Sequence, residues 1–196
     1  MAILNSAQEF LWTRPFREMT VGELMLITGT GRSAFYQYFK DLHELMETLL
    51  QGVAEEIHFA AEPWFNDEGD PLVLLQKSLS QLVDICYECG PILRAVMEAS
   101  TTDERLELAW AEFLSQFDDA VTDQIEKHQA AGLISKFEAR PVAVAFNRLD
   151  ASLFIQAFGR HPRSNPEHVR DAIIRIWMST LYPSIYSPRN VLVGAK

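Results

Sequence analysis

From Thr20 to Phe39 the chain reads TVGELMLITGTGRSAFYQYF, and no other stretch constrains the fold as strongly. Thr20 is a natural N-cap, and Glu23 three residues on completes a capping box for the otherwise orphaned amide donors of a first short helix. Val21, Leu24, Met25 and Thr28 then recur at helical spacing. Gly29 and Gly31 bracket Thr30, so the backbone can turn sharply and take positive φ before a second helix opens near Arg32 and runs to Phe39. Two short helices joined by a glycine-bearing turn, the second rich in aromatics, have the form of a helix-turn-helix.

Composition sets the outer bounds. With 196 residues and 48% hydrophobic content the chain can bury a substantial core. No continuous apolar run approaches the length of a membrane span, and residues 1–10 lack the basic start and apolar centre of a signal peptide, so no membrane role and a cytoplasmic location are expected. The formal charge of −10 argues against a general nucleic-acid coat, so any DNA contact must be local. Cys86 and Cys89 are spaced C-x-x-C, but there is no βαβ context and no second ligand pair. Reduced thiols near a helix end are therefore expected, with no metal and no cofactor. There is no nucleophile elbow and no phosphate loop, and no acid/base pair can be placed, so the chain does not read as an enzyme.

Helical periodicity runs throughout, with no alternation long enough for a strand, and the expected class is all-α. A first helix spans Ile3 to Thr13, stopped by Arg14-Pro15. After the motif, a long helix capped by Asp41 runs to about Glu62, and residues 63–71, bracketed by prolines, form a linker. Helices then cover Leu72 to Cys89, broken at Gly90-Pro91, and Ile92 to Ser100. A long one starts at the Thr102-Asp103 cap, runs through Ala131 and is closed by Gly132. The last two, Pro141 to Phe158 and Pro166 to Tyr182, carry apolar residues on more than one face, which suggests burial on two sides; Phe158 is taken as an exposed apolar residue of that surface.

Gly29, the FYQYF run and the following Lys40-Asp41-Leu42-His43-Glu44-Leu45 resemble the DNA-binding signature of the TetR family of bacterial regulators. That resemblance implies an N-terminal helix-turn-helix DNA-binding domain over residues 1–47 and a helical ligand-binding and dimerisation domain over residues 48–196, the terminal helix pair building a homodimer. It also implies a pseudo-palindromic double-stranded operator, since paired heads must meet half-sites about 34–36 Å apart or a multiple of that spacing. Arg32 and Lys40 are assigned to phosphates or base edges, Ser33, Gln37 and Tyr38 to bases and Tyr36 to a phosphate, with Thr20 at the first helix start. Gly31, Ala34 and Leu42 depart from the family pattern, each removing a polar contact. Residues 1–47 carry four cations against six acids, a net −2 where DNA-reading heads are normally basic. Those features favour the alternative, a ligand- or partner-binding module of the same fold with weak or lost DNA recognition.

The body is similar to the ethionamide-resistance repressor branch of that family, which encloses an apolar ligand channel. The resemblance places Trp110, Leu114, Phe117, Asp150, Phe154 and Trp177 at or near channel positions, with Asn147 there if the register slips by one turn. The residues agree in kind. Trp110, Phe113, Leu114 and Phe117 lie at i, i+3, i+4 and i+7 on one helical stripe, and Asn147, Asp150 and Phe154 on another. Read alone, the aromatic stripe favours a packed core, and it is the resemblance that raises the channel reading above it. Asp150 among apolar neighbours must face water, meet a partner or orient a ligand. The whole implies a regulator, a repressor by preference, whose DNA binding is modulated by a small hydrophobic or amphipathic ligand.

Overall fold

The computed structural model describes residues 2–66 and 69–183, and within them the chain forms eight α-helices, one 3-10 turn and no strand. The helices are α1 (Ala2–Thr13), α2 (Val21–Ile27), α3 (Arg32–Phe35), α4 (Leu42–Asn66), α5 (Pro71–Ser100), α6 (Glu104–Ala130), α7 (Ala139–Phe158) and α8 (Pro166–Leu181). Their starts follow the caps in the sequence. The side chains of Thr20, Asp70, Asp103 and Asn165 each accept from an amide of the first turn that follows, and Asp41 accepts from the amide of Glu44 at 2.8 Å.

Helices α1 to α3 and the start of α4 make the head. Phe10, Leu11, Leu24, Met25, Phe35 and Leu45 are buried together at its centre. Gly29 takes φ +69° and turns the chain out of α2, whereas Gly31 sits at an ordinary φ of −80° as the N-cap of α3. The second helix of the motif is shorter than its sequence suggests, ending at Phe35, with Tyr36 to Tyr38 in a turn.

In the body, α5 is central and packs against α4, α6, α7 and α8. Two expected breaks are absent. Pro63 lies inside α4, so Trp64 and Phe65 are helical and the connection to α5 begins after Asn66. Helix α5 also runs unbroken through Gly90-Pro91 to Ser100. Pro91 has no N–H for the carbonyl of Tyr87, and Arg163 from the α7–α8 loop donates to that carbonyl at 2.7 Å. Gly90 is required by packing: a Cβ there would lie 2.5 Å from the carbonyl oxygen of Phe158. That close approach buries Phe158 completely, so it is not the exposed residue the sequence suggested. Cys86 and Cys89 likewise lie buried as free thiols in the middle of α5 rather than near its end.

Beyond the continuous α4, side-chain contacts fasten head to body. Helix α1 is fastened to α5 and the α7–α8 loop: Gln8 donates to the carbonyl of Glu88 at 3.0 Å, Arg94 donates to the carbonyl of Leu11, and Trp12 stacks on His161 with ring centres 4.5 Å apart. The start of α6 holds the start of α4. Arg105 clasps Glu47 through two bonds of 2.6 Å and reaches Asp41 at 3.0 Å, while His43 meets Asp103 at 2.5 Å. None of the described helices is long and apolar enough to cross a membrane.

Candidate ligand cavity and nucleic-acid interface

Helix α4 continues from the head into the body, and its second half forms one wall of a cavity of about 90 Å³. Ile57, Ala61, Trp64 and Phe65 face it at i, i+4, i+7 and i+8, a helical stripe that persists through Pro63. Helix α5 also lines it, through Leu75, Ser78, Leu79, Leu82, Cys86 and Leu93. Sequence reasoning missed both contributions. The prolines made residues 63–71 look like a linker, although the spacing of Ile57, Ala61, Trp64 and Phe65 carries the signal.

Of the residues singled out in the body, Phe113, Leu114 and Phe117 on α6, Asn147, Asp150 and Phe154 on α7 and Trp177 on α8 all line this cavity. Trp110 does not. It is half-buried one turn earlier on α6 and stacks on Phe113, with ring centres 5.3 Å apart and planes 13° from parallel. Trp177 forms the back wall. Its ring stacks on Phe146 at 4.2 Å and meets Trp64 edge-on at 6.0 Å, and its indole N–H donates to both oxygens of Asp150, at 3.0 and 3.3 Å. Asp150 is 5% exposed. Burial pushes its carboxyl up to about 7, against the pull of the indole hydrogen bond. Asn147 instead turns its amide to Asp118 at 2.9 Å, and Arg148 donates to the same carboxylate at 2.9 Å.

Trp64 also belongs to a buried polar chain. Gln124 donates to the carbonyl of Trp64 and to His128 Nε2 at 2.9 Å, which leaves the other ring nitrogen of His128 to donate to the Tyr182 oxygen at 2.6 Å. Trp64 Nε1 donates to that same oxygen at 3.2 Å. Burial holds the His128 imidazole below its ordinary range and pushes the Tyr182 phenol up to about 12, so the chain is neutral near pH 7 and ties α4, α6 and the end of α8 together.

A second opening, a groove of about 610 Å³ between α4 and α6, shares Phe113 with the cavity but is rimmed by Glu44, Glu47, Glu112 and Arg105. Ligand sites are mostly apolar with a few placed polar groups, and the inner cavity fits that description better. Ligand clefts commonly span roughly 300–1,000 Å³, so a drug-sized molecule enters the inner cavity only as its walls yield.

On the head, Thr20, Arg32, Ser33, Tyr36, Gln37, Tyr38 and Lys40 are all exposed on and around α3. Tyr36 and Tyr38 are 60% and 72% exposed, unlike Phe35, which is wholly buried in the core. The acids nearest to the cations have other partners. Glu23 takes Arg14 at 2.7 Å and the Thr20 hydroxyl at 3.0 Å, Asp41 takes Arg105, and Glu44 accepts from the backbone amide of Lys40 at 2.6 Å. Among the described residues, the side chains of Arg32 and Lys40 therefore make no ion pair, and both residues are exposed, as are the two tyrosines. Arg32 lies across Gly22, where a Cβ would come 2.5 Å from its guanidinium, so the glycine makes room for it.

The body matches a family model described as the C-terminal domain of the transcriptional regulator EthR, over residues 75–183. The HTH-type transcriptional regulator EthR of Mycobacterium tuberculosis is 23% identical over 186 residues, which covers 93% of this chain and 86% of that protein. Among solved structures, a regulatory protein of the TetR family from Rhodococcus RHA1 superposes with a TM-score of 0.74 at 15% identity, covering 92% of this chain and 95% of that one. AibR, solved in complex with isovaleryl coenzyme A and operator DNA, gives 0.69 at 14% identity, covering 93% and 97%.

Proposed function

The chain belongs to the EthR family of transcriptional regulators, whose C-terminal domain it carries over residues 75–183, and from that membership we propose that it is a cytoplasmic homodimeric repressor, not an enzyme, whose grip on operator DNA is set by a small apolar ligand. The observation that carries this reading is the double duty of α4. Leu45 and Met46 belong to the buried core around the head, and three turns later Ile57 lines the cavity. A ligand that pushes the cavity walls apart therefore moves the helix on which the head is mounted. It acts only through its differential affinity for the two arrangements. The fold neighbour AibR was solved in complex with both isovaleryl coenzyme A and operator DNA.

In this reading residues 1–47 read DNA and residues 48–196 hold ligand and partner, with α4 spanning the boundary. The dimer seam lies on α7 and α8, where Leu149 is 37% exposed and Leu153 and Ile176 are half-buried. Leu149→Glu should weaken association by at least about tenfold, since a charge at the centre of an apolar interface is poorly tolerated. Light scattering across a dilution series reads this, and an unchanged mass would remove Leu149 from the seam.

In the head, Arg32 and Lys40 meet phosphates or base edges, Ser33, Gln37 and Tyr38 read bases, Tyr36 anchors a phosphate and Thr20 sets the start of α2. Lys40→Ala should lower affinity about equally on all sequences and reduce the salt slope by about one, whereas Gln37→Ala should cost about 1–3 kcal/mol on the operator and little elsewhere. Equal losses on operator and random duplexes for Gln37→Ala would strike it from the base readers. The net −2 charge of residues 1–47 favours a second reading, a ligand-binding module with weak DNA recognition. Failure of the unaltered protein to retain DNA from around its own gene at low salt would support it.

A further inference from the structure

The lining of the inner cavity contains a carboxylate and, among the described residues, no Lys, Arg or His. Three polar side chains interrupt its apolar wall. Asn147 spends its amide donor on Asp118. Ser78 is 5% exposed, and its hydroxyl has no hydrogen-bond partner among the described residues. Asp150 receives one donor, the Trp177 indole N–H shared between its two oxygens. A carboxylate offers about four acceptor positions, so most of that capacity is left toward the cavity. Leaving it there is costly, because a buried polar group without partners forfeits its hydration. A tie between α7 and α8 would need only a neutral acceptor, and an amide oxygen would take the indole proton without a charge.

We propose that the cavity selects apolar molecules carrying one protonated amine, whose N–H donors are received by the Asp150 carboxylate and the Ser78 hydroxyl. The inference rests on the reading of this cavity as the ligand chamber and adds the chemical class. An amine supplies both missing elements at once, donors for the unused acceptor positions and the positive charge that the lining lacks; charge-assisted hydrogen bonds of this kind are about twice as strong as neutral ones. An anionic head group is disfavoured by the same carboxylate. Few other titratable groups face Asp150. From α5 come the Cys86 thiol, itself pushed up by burial, and Cys89 beyond it. From α8 comes the Trp177 indole, α6 keeps Asp118 bound to Asn147 and Arg148, and α4 presents only Ile57, Ala61, Trp64 and Phe65.

The test is calorimetric titration of the full chain with three probes of one chain length, octylamine, 1-octanol and octanoate. At pH 8 octylamine should bind at least about tenfold more tightly than 1-octanol, with octanoate weakest. The advantage should fade toward pH 5 as Asp150 takes up its proton, while an alkylammonium, like a lysine side chain, stays charged. Asp150→Asn should abolish the preference at pH 8; if that variant does not fold, the pH profile of the unaltered protein gives the same information. Equal binding of amine and alcohol at pH 8, or a preference that survives in Asp150→Asn, overturns the amine assignment and leaves the chamber intact. Binding of none of the three overturns both.

Discussion

Trp177→Ala should destabilise the fold by about 3–5 kcal/mol, the usual cost of emptying a buried indole site. The ring is 3% exposed, stacked on Phe146 and set edge-on to Trp64, so its removal enlarges the cavity on the side where α8 meets α4 and α7. It also strips Asp150 of its single hydrogen-bond donor among the described residues. The two losses can be separated. Trp177→Phe keeps most of the ring and removes the N–H, and it should cost less, about 1–3 kcal/mol, the price of leaving one buried acceptor unmatched. Urea denaturation of the two variants reads both figures. If Trp177→Ala is within about 1 kcal/mol of the unaltered protein, the back wall of the cavity is not packed as described.

The second large effect is a dependence of stability on pH that Asp150 imposes. Its carboxyl titrates near 7 in the fold and near the ordinary 3.8 once unfolded. Between those values the folded chain retains a proton that the unfolded chain has lost, so stability declines as pH rises from about 4 and the loss is complete above about 7. A gap of that size is worth on the order of 4 kcal/mol as an upper figure. Asp150→Asn should abolish the decline. His128 works in the opposite direction, because burial lowers its range and stability is lost as pH falls through the unfolded histidine value near 6.5. Comparing denaturation midpoints of the unaltered protein and Asp150→Asn at pH 5 and pH 8 cancels that contribution. Parallel pH profiles for the two would mean that Asp150 is hydrated or paired in the fold.

Local chemistry was legible in the sequence wherever it decides structure. The caps at Thr20, Asp41 and Asp103 and the left-handed turn at Gly29 act within one helical turn, and each stands where its residue type requires. Contacts between distant segments were not legible. Pro91 reads as a stop, and continuation depends on Arg163, which lies 72 positions later in the chain. Phe158 reads as surface because nothing near it announces Gly90, whose missing side chain admits it. The stripe that contains Trp110 was found correctly, but periodicity gives the face of a helix and not the height at which the neighbouring helices part to leave a cavity. Trp110 therefore sits one turn short of it. Arg32 and Lys40 invite pairing with nearby acids by their spacing, and remain unpaired because Arg14, Arg105 and a backbone amide take those acids first.

The central claim is that an occupant of the cavity controls the grip of the head on DNA. Fluorescence anisotropy of a labelled duplex from around the protein's own gene measures it directly, with the protein titrated in the presence and absence of whichever eight-carbon probe binds most tightly. The account predicts that saturating probe changes the affinity for the duplex by at least about fivefold, that bound duplex changes the affinity for the probe by the same factor, and that both effects vanish in Leu114→Trp, where an indole fills the space. An affinity for the duplex that is the same with and without saturating probe would contradict it.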